Sequence, residues 1–499
     1  MAFIENFKTG ALRIQKTNGT IAISLLGGTG NTRLRFVFLS AVTILLITLP
    51  GCRHQALEPE PLAIIPSFGA VQIQTNPHNV LSAIIEVHVE HAQSVAIEHG
   101  ADSLFQQSTP MVQAGATSTQ LPVLGLEANT KYFMRALAIS PTGHRALSAA
   151  RSFTTSSLPN DFTSFSVLTN KLPASGLVML SFLASGSSAK SYAQVITNDG
   201  RIAWYREFSQ AVVDFQKQTN GPYTAYTSLD ASLSRFFEFD QAGNILREFA
   251  AGGGRATGPH ELRLFDNGYC LFGIEFRTMD LSSVGGRADA SVRGLVIEHH
   301  RNNASLLWNI FEHLEVTEGA ADIDLRAAEI NPWHGNAIDI DHDGHLLVSF
   351  RNSDQIVKIN SKTGEIIWRL GGKKSSFAFA NDPLNGFSHQ HGIRRLANGN
   401  VILFDNGNLH SPPTSRAVEY QLDEQAKTAT LVWKFQHEPA LFSFALGFAQ
   451  RLPNGNTLIC YGAAQRIIEV DPAGTKVWDL KIEEPNRFVY RAFRIASLY

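Results

Sequence analysis

The stretch Gly386–Asn408 reads GFSHQHGIRRLANGNVILFDNGN. Asn398-Gly399 divides it into two short runs of alternating apolar and polar residues, the sign of a β-hairpin closed by a tight turn. The plan recurs in LFDNGYCLFG around Asn267-Gly268, DIDHDGHLLVSF around Asp343-Gly344 and LPNGNTLICYG around Asn454-Gly455. Between these hairpins a second motif repeats, a strand that ends in tryptophan after a turn. It appears as DGRIAW (Trp204), ASLLW (Trp308), TGEIIW (Trp368), ATLVW (Trp433) and GTKVW (Trp478), and AGNILR puts Arg247 where the tryptophan is missing. The six occurrences lie 43, 61, 60, 65 and 45 residues apart. Two hairpins per unit at that period predict four strands per unit and about six units. The expected architecture for residues 160–499 is therefore a six-bladed β-propeller.

The rest of the chain agrees with an all-β protein. Its 499 residues include 39 glycines, and 44% are hydrophobic against 17% charged. The net charge of −2 excludes a broad nucleic-acid surface, which needs a basic excess. Residues 63–156 end in LPVLGLEANTKYFMRALAISPTGHRALSAARSFTT, where alternation sets Tyr132, Met134, Ala136 and Ala138 on one face. The turn into that strand resembles the tyrosine-braced corner of a fibronectin type III or immunoglobulin-like sandwich. The three cysteines, Cys52, Cys270 and Cys460, give no disulfide framework, and a Cys270–Cys460 bridge is not expected because the two belong to distant blades. Cys52 closes RLRFVFLSAVTILLITLPGC, arginines followed by a hydrophobic run from Phe36 to Leu49. Residues 1–52 thus read as a secretory leader, long enough to place the expected start downstream of Met1. The Gly-Cys ending resembles a lipoprotein signal, with Cys52 lipidated and 53–62 as a linker. The run is too short for a spanning helix across ~30 Å.

The hairpin turns act as a ruler. His260 stands seven residues before Asn267, His391 seven before Asn398 and His334 nine before Asp343, while Gly447 takes that place in the last hairpin. Three histidines therefore open the first strand of three successive units. With the first strand innermost, all three point to one mouth of a central channel. Pairing across two-residue loops sets His391 opposite Asn406 and His260 opposite Glu275. In the His334 unit the returning LLVSFR brings Arg351 beside the histidine. Three imidazoles and a guanidinium at one rim suit an anion with oxygen ligands. Three histidines also suit Zn²⁺, but the arginine among them repels a cation, so neither metal nor cofactor is expected. DIDHDG opens like a calcium loop, yet Phe350 stands at its twelfth position where a carboxylate is required, so it reads as a turn. His389, two residues before His391, shares its side of an extended strand and is the second candidate nucleophile.

At these residues the sequence resembles the bacterial arylsulfotransferases, which work without a nucleotide sulfate donor. NPWHGNAIDI, VSFRNSDQIVKI, WRLGG, HQHGIRRLANGNVILFDNG and the closing NRFVYRAFRI carry the likeness, from about residue 165 onward. The resemblance implies His391 as the nucleophile that becomes sulfated, His334 as its acid/base partner, Arg351 on the sulfate oxygens and His260 assisting. Asn406, facing His391, is counted as a substrate-binding residue. The better-known members carry a cysteine pair in the loop before the nucleophile; loop 371–388 has none. Its Lys373, Lys374, Phe377, Phe379 and Phe387 are expected to form either a partly aromatic lid over a phenyl ring or a solvated connection.

The expectation is an exported protein of the periplasm or cell surface, touching the membrane only through a lipid anchor. It would move a sulfuryl group from a phenolic sulfate ester to a phenolic acceptor. Two other classes stay open: an exported propeller that binds an anionic ligand or partner without catalysis, and a sulfate-ester hydrolase or polysaccharide lyase. The resemblance also implies a homodimer through the front module. No nucleic-acid partner is expected.

Overall fold

The computed structural model describes residues 12–17, 20–25, 64–184, 191–218, 221–228 and 234–499. The leader's hydrophobic run, the lipidation residue Cys52 and the linker 53–62 lie outside the described residues. The chain divides into Met1–Leu62 and Ala63–Tyr499. In the first unit Leu12–Thr17 pairs with Thr20–Leu25 as an antiparallel hairpin.

The second unit is all β apart from a few 3₁₀ turns. It begins with two sheets, one of Ser67–Thr75, Ala83–Glu90 and Thr119–Val123, the other built on Ser94–Gly100 and Lys131–Ile139. Both contribute to one hydrophobic cluster containing Val71, Ile85, Val95, Ile97, Leu121 and Met134. Tyr132, Met134, Ala136 and Ala138 are buried, as the alternation required. The Tyr132 hydroxyl accepts the Glu127 N–H at 2.9 Å and so braces the turn into its own strand. No helix among the described residues is long and apolar enough to cross a membrane.

Six sheets of four or five strands follow, antiparallel except where Glu329–Ile330 and Ala378–Ala380 add short parallel pairs. The first consists of Leu177–Ala184, Ser191–Ile196 and Ile202–Phe208, completed by Arg487–Ile495 from the end of the described chain. The second runs from Val213 to Phe249, the third from Ala256 to Asn309, the fourth from Gly335 to Gly371 and the fifth from His391 to Phe435. The sixth, from Phe448 to Ile482, takes Phe165–Asn170 as its outer strand. The two ends of this region are therefore cross-closed: an early strand finishes the last sheet and a late strand finishes the first. Arg487–Ile495, Val213–Lys217, Ala256–Phe265, Gly335–Ile340, His391–Arg395 and Phe448–Arg451 touch one another in turn around a closed cycle.

The recurring tryptophan motif falls on the fourth strand of all six sheets. In three of the five tryptophans the indole N–H reaches the next sheet. Trp204 donates to the Gln241 carbonyl at 2.8 Å, Trp308 to Gly364 at 3.0 Å and Trp478 to Asn198 at 2.7 Å. In each case the acceptor lies in the turn between the third and fourth strands of the neighbour. One side chain thus supplies a large buried surface and a directional clasp between sheets. Arg247, at the exceptional position, instead pairs with Glu238 across its own sheet at 2.6 Å.

The hairpin ruler locates the strands but misreads register. His391 pairs with Phe404, not Asn406, because Gly392 and Ile393 form a bulge before Arg394 regains Ile402. Gly392 has φ +67°, and a Cβ there would stand 2.4 Å from the Phe448 ring. His260 is likewise not opposite Glu275. Thr257 pairs with Gly273 and Leu262 with Leu271, leaving Gly258 to Glu261 opposite the single Phe272. Glu275 pairs with Gly294 on the far side. In the fourth sheet Gly335 pairs with Phe350 and Ala337 with Ser349, so Asn336 is the extra residue. All three histidine strands are bulged beside the histidine, whereas Phe448–Arg451, which follows Gly447, pairs without interruption. Bulges re-aim side chains next to sites.

The tryptophan clasps give a stability test. The Trp368 N–H is buried without a partner, so Trp368→Phe removes an unsatisfied donor while Trp308→Phe breaks a hydrogen bond. Urea unfolding is expected to show Trp308→Phe costing about 1–3 kcal/mol more than Trp368→Phe. Equal costs would contradict the clasp.

Candidate active site

His391 opens the inner strand of the fifth sheet, His334 immediately precedes that of the fourth, and His260 lies within that of the third, four residues after its start at Ala256. The His260 and His334 ring centroids are 4.8 Å apart. Arg351 follows Phe350, the partner of Gly335, and its N–H donates to the His334 carbonyl at 3.0 Å. The Arg351 guanidinium reaches the Asn352 side-chain oxygen at 2.6 Å and the Phe444 carbonyl at 3.0 Å. Segment 443–446, which precedes the sixth sheet, also receives Asn406: its amide nitrogen donates to the Ser443 and Leu446 carbonyls at 2.6 and 2.9 Å. One strap of backbone thus holds Arg351 and the Asn406–His391 pair to the same wall.

The hydrogen-bond network assigns each ring a tautomer. With the Asn406 nitrogen spent on two carbonyls, its oxygen is an acceptor, and it lies 2.7 Å from His391 Nδ1. His391 therefore carries its proton on Nδ1 and keeps the lone pair on Nε2. At His334 the logic reverses. The Asn331 oxygen accepts the His334 backbone N–H at 3.0 Å, so its nitrogen donates to His334 Nδ1 at 3.1 Å. The His334 proton is then on Nε2. His334 also has φ +50°, a left-handed conformation uncommon for a non-glycine residue. At His260 the Tyr490 hydroxyl donates to the His260 carbonyl at 3.0 Å and lies 2.8 Å from Nδ1. One hydroxyl proton cannot serve both, so Nδ1 is the donor and Nε2 bears the lone pair. The site thus presents two Nε2 lone pairs, on His391 and His260, and one Nε2–H donor, on His334.

His389 differs from the expectation. At φ +54° its ring does not share the side of His391. Its Nδ1 lies 3.1 Å from Asp354 and its Nε2 3.0 Å from Asp322, so neither nitrogen is free to attack. Loop 371–388 is no lid. Phe377 and Phe387 are buried in the hydrophobic cluster between the fourth and fifth sheets, with Phe379 packed against it. Lys373 and Lys374 reach the Thr317 carbonyl and the carboxylates of Glu315 and Glu318. In DIDHDG, Lys358 holds both Asp341 and Asp343, at 2.8 and 2.7 Å. Cys270 and Cys460 are free and buried. Among the described residues no group of three His, Cys, Asp or Glu side chains is placed to hold a metal ion.

Three residues of the site carried no role in the sequence reading: Tyr490, Asn331 and Arg293. Tyr490 stood inside a quoted motif, but nothing local links it to His260, 230 residues away. Arg293 lies on the third sheet's middle strand Ala290–Arg301, beyond the reach of the hairpin ruler. It lines a small cavity with His260, His334 and Asn331.

A family model described as Arylsulfotransferase (ASST) matches residues 168–491. No curated protein sequence matches the chain. Among solved structures, a protein of unknown function from Bacteroides caccae is 15% identical, with 65% of this chain and 100% of that chain covered and a TM-score of 0.41. A streptogramin B lyase is 11% identical over 64% of this chain and 89% of its own, with a TM-score of 0.35. A catalytically inactive virginiamycin B lyase from Staphylococcus aureus with quinupristin gives the same identity and coverage and a TM-score of 0.34.

Burial, reinforced by cations, keeps all three imidazoles neutral. His391 is 5% exposed; burial and then the Arg351 guanidinium push it well below the usual histidine range, against the hydrogen bond to Asn406. Burial and the neighbouring His334 and His391 do the same to His260. His334 falls to about 3 through burial, Arg351 and Arg293. An unfolded histidine titrates near 6.5. As pH falls below that value the unfolded chain takes up protons that the folded site refuses, so folding stability drops with pH between about 6.5 and 3. The slope is at most about 1.4 kcal/mol per pH unit for each such group. Urea midpoints at pH 7, 6 and 5 are expected to fall less steeply for His334→Asn than for the unsubstituted protein. Parallel slopes would mean that His334 is not held neutral.

Proposed function

The chain belongs to the arylsulfotransferase family, and on that footing we propose that it moves a sulfuryl group between phenols by a ping-pong route through sulfo-His391. Family membership implies arylsulfotransferase activity; the steps below are our reading. The observation that carries it is the His391 tautomer, a buried neutral imidazole whose Nδ1 proton is held by Asn406 and whose Nε2 pair is free beside Arg351. The reading takes the six sheets as the blades of a six-bladed propeller and residues 63–156 as a fibronectin III- or immunoglobulin-like sandwich. The closed cycle of inner strands and the Tyr132 brace support it. The leader ending in Cys52 supports export and lipid anchoring.

Sulfuryl transfer needs an in-line nucleophile and positive donors on the peripheral oxygens, as phosphoryl transfer does. His391 Nε2 forms a bond to sulfur as the bond from sulfur to the aryl oxygen breaks, and the electron pair leaves with that oxygen. Arg351 holds the sulfuryl oxygens. The His334 Nε2–H donates a hydrogen bond to the departing aryloxide. The sulfo-imidazole keeps its Nδ1 proton on Asn406, which makes Asn406 a positioning residue as well as a neighbour of the substrate. In the second half, His260 Nε2 takes the hydroxyl proton of the acceptor phenol, whose oxygen attacks sulfur and restores the His391 lone pair. The first aryloxide has by then left as the anion, and His260 gives its proton up to solvent, which returns the neutral imidazole for the next turnover. His260, expected only to assist, thus takes a share of the acid/base work beside His334. Donors aimed at developing charge in such a site contribute on the order of 3–4 kcal/mol each.

Incubation with 4-nitrophenyl sulfate, with and without phenol, tests this. Phenol-dependent release of nitrophenolate is expected, and His391→Ala should abolish it. Release that ignores phenol would make the protein a sulfate-ester hydrolase, and no release would leave an anion-binding module.

A further inference from the structure

The site contains two guanidiniums, and they are differently committed. Arg351 spends both terminal nitrogens on Asn352 and the Phe444 carbonyl, on the wall that also holds His391 through Asn406. Arg293 makes no hydrogen bond and no ion pair among the described residues, although its side chain lines the cavity shared by His260, His334 and Asn331. A guanidinium left unpaired in a partly buried cavity gives up solvation without compensation, so an anion supplied by a ligand is its natural complement. The cavity is walled by backbone that leaves no room for other side chains. A Cβ at Gly335 would stand 2.5 Å from Leu295, and one at Gly258 would stand 2.9 Å from Phe272.

In-line displacement puts the attacking nitrogen and the leaving oxygen at opposite ends of the sulfur. With His391 at one end, the leaving oxygen belongs at the His334 and His260 end, where Arg293 is. Resting on the sulfotransferase reading, we propose that Arg293 is a further catalytic residue that pairs with the aryloxide oxygen as it leaves, and with the acceptor's oxygen as it attacks. Arg351 and Arg293 then divide the work, one on the sulfuryl oxygens and one on the phenolic oxygen. Both His334 and His260 feel the Arg293 charge, which agrees with its place at their end of the site.

The division sets donor range. A nitrophenolate already carries its charge well and needs little help, whereas an unsubstituted phenolate concentrates charge on oxygen and needs the cation. By reversibility the same arginine favours ionisation of the bound acceptor, so unactivated phenols can be used at both ends of the reaction.

The test compares 4-nitrophenyl sulfate with phenyl sulfate as donors to one acceptor, for the unsubstituted enzyme, Arg293→Gln and Arg293→Lys. For Arg293→Gln, kcat/KM with phenyl sulfate should fall roughly 10²-fold or more, the scale of losing one oxyanion donor. The fall with 4-nitrophenyl sulfate should be about tenfold or less, and the lysine variant should recover part of the loss. The pH profile of the acceptor half-reaction should move to higher pH in Arg293→Gln. Equal losses on both donors would place Arg293 on the sulfuryl oxygens and overturn the proposal; so would no loss on either. If the unsubstituted enzyme shows no phenol-dependent turnover of 4-nitrophenyl sulfate, the sulfotransferase reading itself fails. Matching urea midpoints for the three proteins exclude misfolding as the cause of any loss.

Discussion

A buried charge cluster under the histidines joins the inner strands. Arg491 sits between Asp214 at 2.6 Å and Glu261 at 3.0 Å, and donates to the Asn336 carbonyl at 2.7 Å. Arg394 grips both Glu261 oxygens at 3.1 and 3.0 Å, and Gln216 bridges the two carboxylates. These residues come from the first, second, third, fourth and fifth sheets. Burial raises Asp214 to about 7, with Arg491 opposing, while at Glu261 the two guanidiniums overcome burial and hold the carboxyl below its usual range. Removing one partner of such a cluster leaves an uncompensated charge and costs about 3–5 kcal/mol. Adjacency ties this to the site. Glu261 follows His260 and Arg491 follows Tyr490, and both pairs lie in bulged segments, so each anchored charge fixes the irregular backbone that carries the neighbouring ring.

Much of this was legible in the sequence because turns are local. Asn-Gly and Asp-Gly pairs located the hairpins, and counting back from them put the three histidines on successive inner strands and Arg351 beside His334. The tryptophan spacing picked out the fourth strand of every sheet. Register failed at His260 and His391 for one reason: each strand carries extra residues beside the histidine, and a bulge leaves no reliable periodic mark. The wrong pairing still led to the right neighbour in one case. Asn406 lies beyond the end of the ladder, yet its side chain reaches His391. Arg293, Asn331 and Tyr490 were out of reach because a middle strand, a loop and a strand from another sheet bring them in.

The three imidazoles owe their different tautomers to groups that do not titrate near neutrality. Asn406 and Asn331 are amides, each oriented by contacts on its other side. Tyr490 is buried and its hydroxyl is pushed well above the usual range. Three chemically identical side chains adopt two tautomers because each Nδ1 meets a different neighbour: Asn406 and Tyr490 accept its proton, and Asn331 donates to it.

The cross-closure of the sheets has a bearing on when the site can exist. Tyr490 and Arg491 ride on Arg487–Ile495, the strand that completes the first sheet. Until that strand docks, His260 lacks the hydroxyl that sets its proton, and Asp214 and Glu261 lack the cation between them. A chain that has not yet delivered this segment holds His334, Arg351 and His391 but lacks the groups that orient His260 and neutralise the carboxylates beneath it. Assembly of the site therefore waits on the docking of Arg487–Ile495, and the proposed chemistry waits with it.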